Sequence, residues 1–227
     1  MLFRSRWWVD RIRKNLELFD LLRLDHFRAF SAYWEVPKGE ATARNGKWVK
    51  CPGNDFFKKL EKELGRLPFV AEDLGDIDQP VYDLRNRFKF PGMKVLQFAF
   101  GDNIAKSDYA PHNYDSNYLV YTGTHDNNTI RGWFKNDINA SVKKRLKLYT
   151  GIEPDKKNIH HMMIRMAYSS VARTAIIPMQ DLLGLGQSAR MNKPATVQGN
   201  WLWRLSPNQI DKALENGLRN LAKIFRR

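Results

Sequence analysis

The 227-residue sequence holds one cysteine, Cys51. An internal disulfide is excluded, and a lone thiol fits a reducing compartment such as the cytoplasm. No apolar run reaches the length of about 18 residues that a membrane-spanning helix needs, so no membrane association is expected. The segment Met1 to Trp8 is basic but lacks the apolar core of a secretory signal, so export is not expected. No set of His, Cys and carboxylates has metal-ligand spacing, so no metal is assigned. Ser169-Ser170 and Ser188 lack the strand-to-helix setting of a nucleophile elbow. Gly184-Leu185-Gly186 does not open a helix after a strand, as a dinucleotide fingerprint would. His160-His161 sits in a helical pattern beside Met162 and Met163 and reads as a pair at a core boundary. No internal repeat, low-complexity tract or linker is present, so residues 1–227 read as one domain.

Acidic residues are scarce: 24 Asp and Glu stand against 38 Lys and Arg, for a net charge of +14. Such a balance draws attention to acidic partners, nucleic acid first. The basic residues are scattered, however, as in Lys58, Lys59 and Lys62, then Lys143, Lys144, Arg145 and Lys147. No zinc-finger spacing, RNA-binding aromatic motif or long basic arm accompanies them. A solvated basic surface is the expectation, and nucleic acid is not an expected partner.

What is present is an alternation of helices and apolar runs. Trp8, Ile12, Leu16 and Phe19 recur at helical spacing and predict a helix over 6–19. Helices are also predicted over 55–64, with Asn54 as cap, and over 79–88, 141–150 and 158–173. A last one starts at a Ser206-Pro207 cap. Apolar strands are predicted over 20–24, 69–72, 95–100, 119–122 and 174–179. Continuous rather than alternating apolar runs mean strands buried on both faces, hence a parallel sheet and the α/β class. Residues 101–117 and 180–204 read mostly as loop.

Three of these strands end in an acid: Leu22-Arg23-Leu24-Asp25, Val70-Ala71-Glu72 and Tyr121-Thr122-Gly123-Thr124-His125-Asp126. A strand, its loop, a returning helix and the next strand need about 30 residues or more, which fits their intervals. Barrel enzymes place catalytic groups at the C-terminal ends of strands. Retaining glycosidic-bond chemistry needs an ionised nucleophilic carboxylate and a carboxyl that keeps its proton, about 5–5.5 Å apart. Arg23, on the same face of its strand as Asp25, favours the ionised form there. Glu72 follows Phe69, Val70 and Ala71, an apolar setting of the kind in which a carboxyl holds its proton. Asp126 and His125 could hold sugar hydroxyls. Taken singly, each acid would be a helix cap or a surface ion pair; it is the series of three strand ends that carries the argument. Trp34, Trp133 and Trp201 lie near loops, where a flat ring could stack on a sugar face.

At these residues the chain resembles the amylomaltases, the 4-α-glucanotransferases also called disproportionating enzymes. The matching segments are Leu22 to Arg28, Tyr33 to Pro37, Ala71 to Gly75, Phe90 to Phe98, His112 to Tyr114, Tyr121 to Asn127, Ala189 to Asn192 and Gly199 to Trp201. The resemblance implies that Asp25 is the nucleophile, Glu72 the general acid/base and Asp126 the transition-state stabiliser. Arg23, His26, His125 and Asn127 are implied to bind substrate. It implies transfer of α-1,4-glucan segments between maltooligosaccharide or starch chains, with no cofactor. Ala29 and Ala195 stand where glycine is common in the family, Ser188 where an acid is common, and Asn128 where an aspartate is frequent. The chain is similar to the C-terminal half of the family. That implies a partial (β/α)8 TIM-type barrel, strands four to eight with a C-terminal helix, and an N-terminal segment as the partner that would complete it. A non-catalytic α-glucan-binding remnant is the alternative reading, and a basic nucleic-acid-binding protein a more distant one.

Overall fold

A computed structural model describes residues 2–227. It divides into two compact units, one ending at Met93 and one spanning Lys94–Arg227.

The first unit opens with α1 (Leu2–Leu16) and the short β1 (Leu22–Leu24). A hairpin follows, β2 (Ala32–Glu35) antiparallel to β3 (Lys47–Lys50), with Trp34 opposite Trp48. Then come α2 (Gly53–Leu64), β4 (Phe69–Ala71) and α3 (Gln79–Arg87). β1 and β4 pair in parallel in the register Leu22↔Phe69, Arg23↔Val70, Leu24↔Ala71. The core is largely aromatic. Phe57 is fully buried and contacts Phe27, Phe69, Phe88 and Phe90 at ring-centroid distances of 5.1–6.4 Å. Val9 and Ile12 bring the apolar stripe of α1 onto this core. Burying each such side chain contributes roughly 1.5–3 kcal/mol.

β5 (Gly92–Val95) closes the first unit and enters the second. There the sheet order is β5-β6-β7, with β6 (Tyr118–Tyr121) parallel to β7 (Thr174–Ile176). Helices α4 (Ile130–Asn136), α5 (Ala140–Thr150), α6 (Ile159–Ser169), α7 (Met179–Leu182) and α8 (Lys212–Phe225) complete the unit. Its core joins Leu96, Phe100, Val120, Ile130, Leu146, Ile159 and Met163.

Parallel pairing and the α/β class stand as expected, but several boundaries differ. The apolar run Val95–Phe100 is not a strand: extended backbone stops at Val95, and Leu96–Phe98 form a 3-10 turn. β1 and β7 are not buried on both faces, because Arg23, Thr174 and Ile176 are exposed. Asn54 lies inside α2 rather than capping it. The last helix is capped by Asp211, whose carboxylate accepts from Leu214 N–H at 2.8 Å, and not by Ser206. Its apolar face is only half covered; no residue of α8 is fully buried.

Candidate active site

In the first unit the register does the positioning. Leu24 faces Ala71, so Asp25 and Glu72 are the next residues on two neighbouring parallel strands. Neighbouring strands lie about 4.8 Å apart, so the two acids start from adjacent backbone positions. Backbone bonds continue the pairing: Glu72 N–H donates to Leu24 O at 2.9 Å, and Phe27 N–H to Glu72 O at 2.9 Å.

His26 adopts a left-handed conformation, φ 49° and ψ 56°. This turn aims its N–H at Glu72 Oε2, at 2.7 Å. Glu72 Oε1 accepts the Leu74 N–H at 3.2 Å. Glu72 is half-buried, so its surroundings are more polar than the apolar run before it implies. Arg23 Nη2 pairs with Asp25 Oδ1 at 2.7 Å, as expected for residues on one strand face, and the Asp25 side chain is 75% exposed. Beside Glu72, Asp73 is buried and paired with buried Arg85, and its second oxygen accepts Met93 N–H at 2.8 Å. This anchor holds the end of β4 to the chain entering β5.

In the second unit Asp126 lies in the turn between β6 and α4. Its Oδ1 accepts from Asn192 Nδ2 at 2.6 Å, and its carbonyl accepts from Arg190 Nη2 at 2.6 Å. Arg190 also donates from Nε to Asn192 O at 2.8 Å, so one cation ties both ends of the contact together. His125 Nε2 is 3.5 Å from Asp126 Oδ1, and the His125 ring lies 5.3 Å from that of Trp201. Asn127 turns inward: its Oδ1 accepts from the N–H and the hydroxyl of Thr124, both at 2.8 Å. His125, Asn127, Arg190, Met191 and Trp201 line a pocket of about 210 Å³.

Asp181 brackets this turn. One oxygen accepts the Thr122 hydroxyl at 2.6 Å, at the end of β6, and the other the Ile130 N–H at 2.8 Å, at the start of α4. Burial pushes the Asp181 carboxyl up to about 6, against the lowering effect of those two bonds. Gly123 sits close to the Gln97 amide, so a Cβ there would lie 2.6 Å from Gln97 Nε2 and displace it.

The sequence-level candidates are thus divided. Arg23, Asp25, His26 and Glu72 gather in the first unit, and His125, Asp126 and Asn127 in the second. Trp201 and Trp34 are exposed at 52% and 40%, whereas Trp133 is buried in the core and is removed from the candidate sugar-facing rings. His160 is buried against Gly184, and burial, with His161 and Arg131 nearby, pushes its imidazole down to about 4. Among the described residues no group of three or more His, Cys, Asp or Glu is placed to hold a metal ion, and no helix is long and apolar enough to cross a membrane. Asp181, Arg190 and Asn192 were not singled out from the sequence. Arg190 and Asn192 lay in a matched segment without a role, and Asp181 lies far along the chain from the turn it holds.

Residues 4–210 match the family profile described as 4-alpha-glucanotransferase. The 4-alpha-glucanotransferase of Streptococcus pneumoniae is 46% identical over 222 residues, which cover 98% of this chain and 44% of that protein. The one from Aquifex aeolicus is 51% identical over 207 residues, 91% of this chain and 42% of that protein. The amylomaltase from Streptococcus agalactiae in complex with acarbose superposes with a TM-score of 0.91 at 39% identity, covering 97% of this chain and 44% of that one. The chain therefore spans less than half the length of these relatives, and it belongs to the 4-alpha-glucanotransferase family.

Proposed function

We propose that this chain carries the catalytic acids of a retaining 4-α-glucanotransferase that passes α-1,4-glucan segments between maltooligosaccharide or starch chains. The observation that carries this reading is the parallel register of β1 and β4, which makes Asp25 and Glu72 side-by-side strand ends. In the first step Asp25 attacks the anomeric carbon and Glu72 gives its proton to the departing glycosidic oxygen, leaving a covalent glucosyl-Asp25. In the second, Glu72 takes the proton of an acceptor 4-hydroxyl, whose oxygen displaces Asp25 and restores the α bond. Arg23 steadies the Asp25 carboxylate, and the His26 N–H orients Glu72. Asp126, held by Asn192, stabilises the positive charge that develops on the sugar, with His125 and Asn127 at its hydroxyls. These steps need no cofactor.

In this proposal 1–227 is one part of a barrel, contributing β1, β4, β5, β6 and β7 as five of eight strands. Two observations support it. β1 pairs with β4, and β6 with β7, in parallel, and Leu21 beside β1 and Ile176 within β7 are exposed. Five strands do not close at the radius of eight. The partner is accordingly the part of the family fold that this sequence does not contain, and the site works in the cytoplasm. The test is to incubate the purified chain with maltotriose, alone and with the N-terminal portion of a relative, and to follow glucose and longer maltooligosaccharides. The proposal expects little turnover alone and transfer in the mixture, lost with Asp25→Asn. Transfer that survives Asp25→Asn would overturn it, as would a folded mixed complex that forms no product.

A further inference from the structure

Asp181 is a buried carboxylate to which the mechanism above gives no step. It sits on α7, is 2% exposed, and is held by hydrogen bonds rather than by an ion pair among the described residues. Burial works against its charge, which is why its carboxyl stands at about 6. At neutral pH the ionised form therefore costs stability. A side chain kept for packing alone does not need that charge. The place of its two partners supplies the reason for it.

Thr122 follows the last residue of β6, and Ile130 is the first of α4. They are the two ends of the segment whose middle is His125, Asp126 and Asn127. A carboxylate accepts at both oxygens, so one side chain clamps both ends. The bond from the Thr122 hydroxyl, at 2.6 Å, has the short length of a charge-assisted contact. The clamp is itself fixed. Arg131, next along α4 from Ile130, donates to Gly184 O, and Gly184 N–H donates to Asp181 O at 3.1 Å. α7 and the start of α4 are thus joined at a second point, independent of the carboxylate. On the inner side of the turn, buried Gln97 donates from Nε2 to Asn128 O at 2.8 Å. Held at both ends and from within, the turn has little freedom to move Asp126.

We propose that Asp181 is a positioning residue for Asp126: its carboxylate clamps both ends of the turn that presents Asp126 to the sugar, and does not itself touch the substrate. This rests on the reading of Asp126 as the transition-state stabiliser. An acid that meets developing charge must be in place before the charge appears. A misplacement of about 1 Å there costs on the order of a hundredfold in rate.

Two readouts separate the clamp from the chemistry. The first is hydrogen–deuterium exchange of the 227-residue chain, followed in peptides covering 122–130 and 140–150. Asp181→Ala is expected to speed exchange over 122–130 by about tenfold and to leave 140–150 unchanged. In Asp181→Asn the amide oxygen can meet the Ile130 N–H and the amide nitrogen the Thr122 oxygen, so exchange should stay near that of the parent. The second readout is kcat and KM for maltotriose in the complex with the N-terminal portion of a relative. Asp181→Ala should lower kcat by about tenfold with little change in KM, and Asp181→Asn should restore most of it. Thr122→Val removes one of the two bonds without altering a charge. It should fall between, and it decides the matter if Asp181→Ala does not fold. The proposal is overturned if exchange over 122–130 is unchanged in Asp181→Ala and Thr122→Val, if exchange rises while kcat holds, or if the loss falls on KM alone. Full transfer by Asp126→Ala would instead overturn the role given to Asp126, and this inference with it, while the exchange data still report whether Asp181 holds the turn.

Discussion

The His26 N–H donates to Glu72 Oε2 at 2.7 Å, across the ends of two strands whose residues lie far apart in sequence. The bond depends on the left-handed backbone of His26, a conformation that side-chain-bearing residues adopt sparingly. It gives His26 a main-chain role in holding Glu72, the proposed acid/base. The same residue leads into Phe27, which is fully buried against Phe57 and Phe90. The aromatic core of the first unit thus fixes the turn that fixes Glu72.

Asn192→Ala removes the donor 2.6 Å from Asp126 Oδ1 and leaves the fold of the turn to Asp181 and Arg190. The expected outcome in the complemented enzyme is a fall in kcat on the order of tenfold with a smaller change in KM, since in the proposed mechanism the lost bond fixes a group that acts in the transition state. Steady-state kinetics with maltotriose check it. An effect confined to KM would assign Asn192 to ground-state binding instead.

Asp181 imposes a pH dependence on stability. Its folded carboxyl is raised from 3.8 to about 6 by burial. Between those values the folded state holds a proton that the unfolded chain has released. The contribution of this group is full below about pH 4 and is lost as pH rises through 6. The shift of about two units corresponds to roughly 3 kcal/mol. Asp181→Asn, which does not titrate, is expected to lose less stability than the parent between pH 4 and 7. Denaturant melts at both pH values measure this, and parallel pH curves for the two proteins would contradict it.

Asp73→Ala strands the Arg85 guanidinium in the interior, where both side chains are at most 4% exposed. Removing one partner of a buried pair costs about 3–5 kcal/mol. Thermal melting should show a large fall in Tm, with a smaller one in the double variant Asp73→Ala, Arg85→Met, which leaves no unpaired charge. Equal losses in both would mean that the pair matters through packing alone.

Part of this arrangement is legible in the sequence because Asp25 and Glu72 follow short apolar strands, a local pattern. Asp25 and Glu72 fall at adjacent strand ends for that reason. What supports them was not legible. Asp181 reaches Thr122, and Asn192 reaches Asp126, across long stretches of chain, and no periodicity encodes such contacts. The Trp34–Trp48 hairpin escaped because its strands are only four residues each and alternate weakly around a long loop. Val95–Phe100 looked like a strand since burial alone makes an apolar run; a 3-10 turn in the core satisfies the same pattern. Ser206-Pro207 has the composition of a cap, but Asp211 stands closer to the first apolar turn of α8 and takes the role.

The central claim is that Asp25 carries the sugar. The complemented enzyme with Glu72→Gln is treated with an α-glucosyl donor whose leaving group departs without a proton, so the first step proceeds while the second stalls for want of a base. Peptide mass spectrometry of the trapped protein is expected to place one glucosyl unit on the peptide containing Asp25, and to find none when Asp25→Asn is added. A glucosyl unit on Asp126 or elsewhere, or one that persists with Asp25→Asn, would contradict the account.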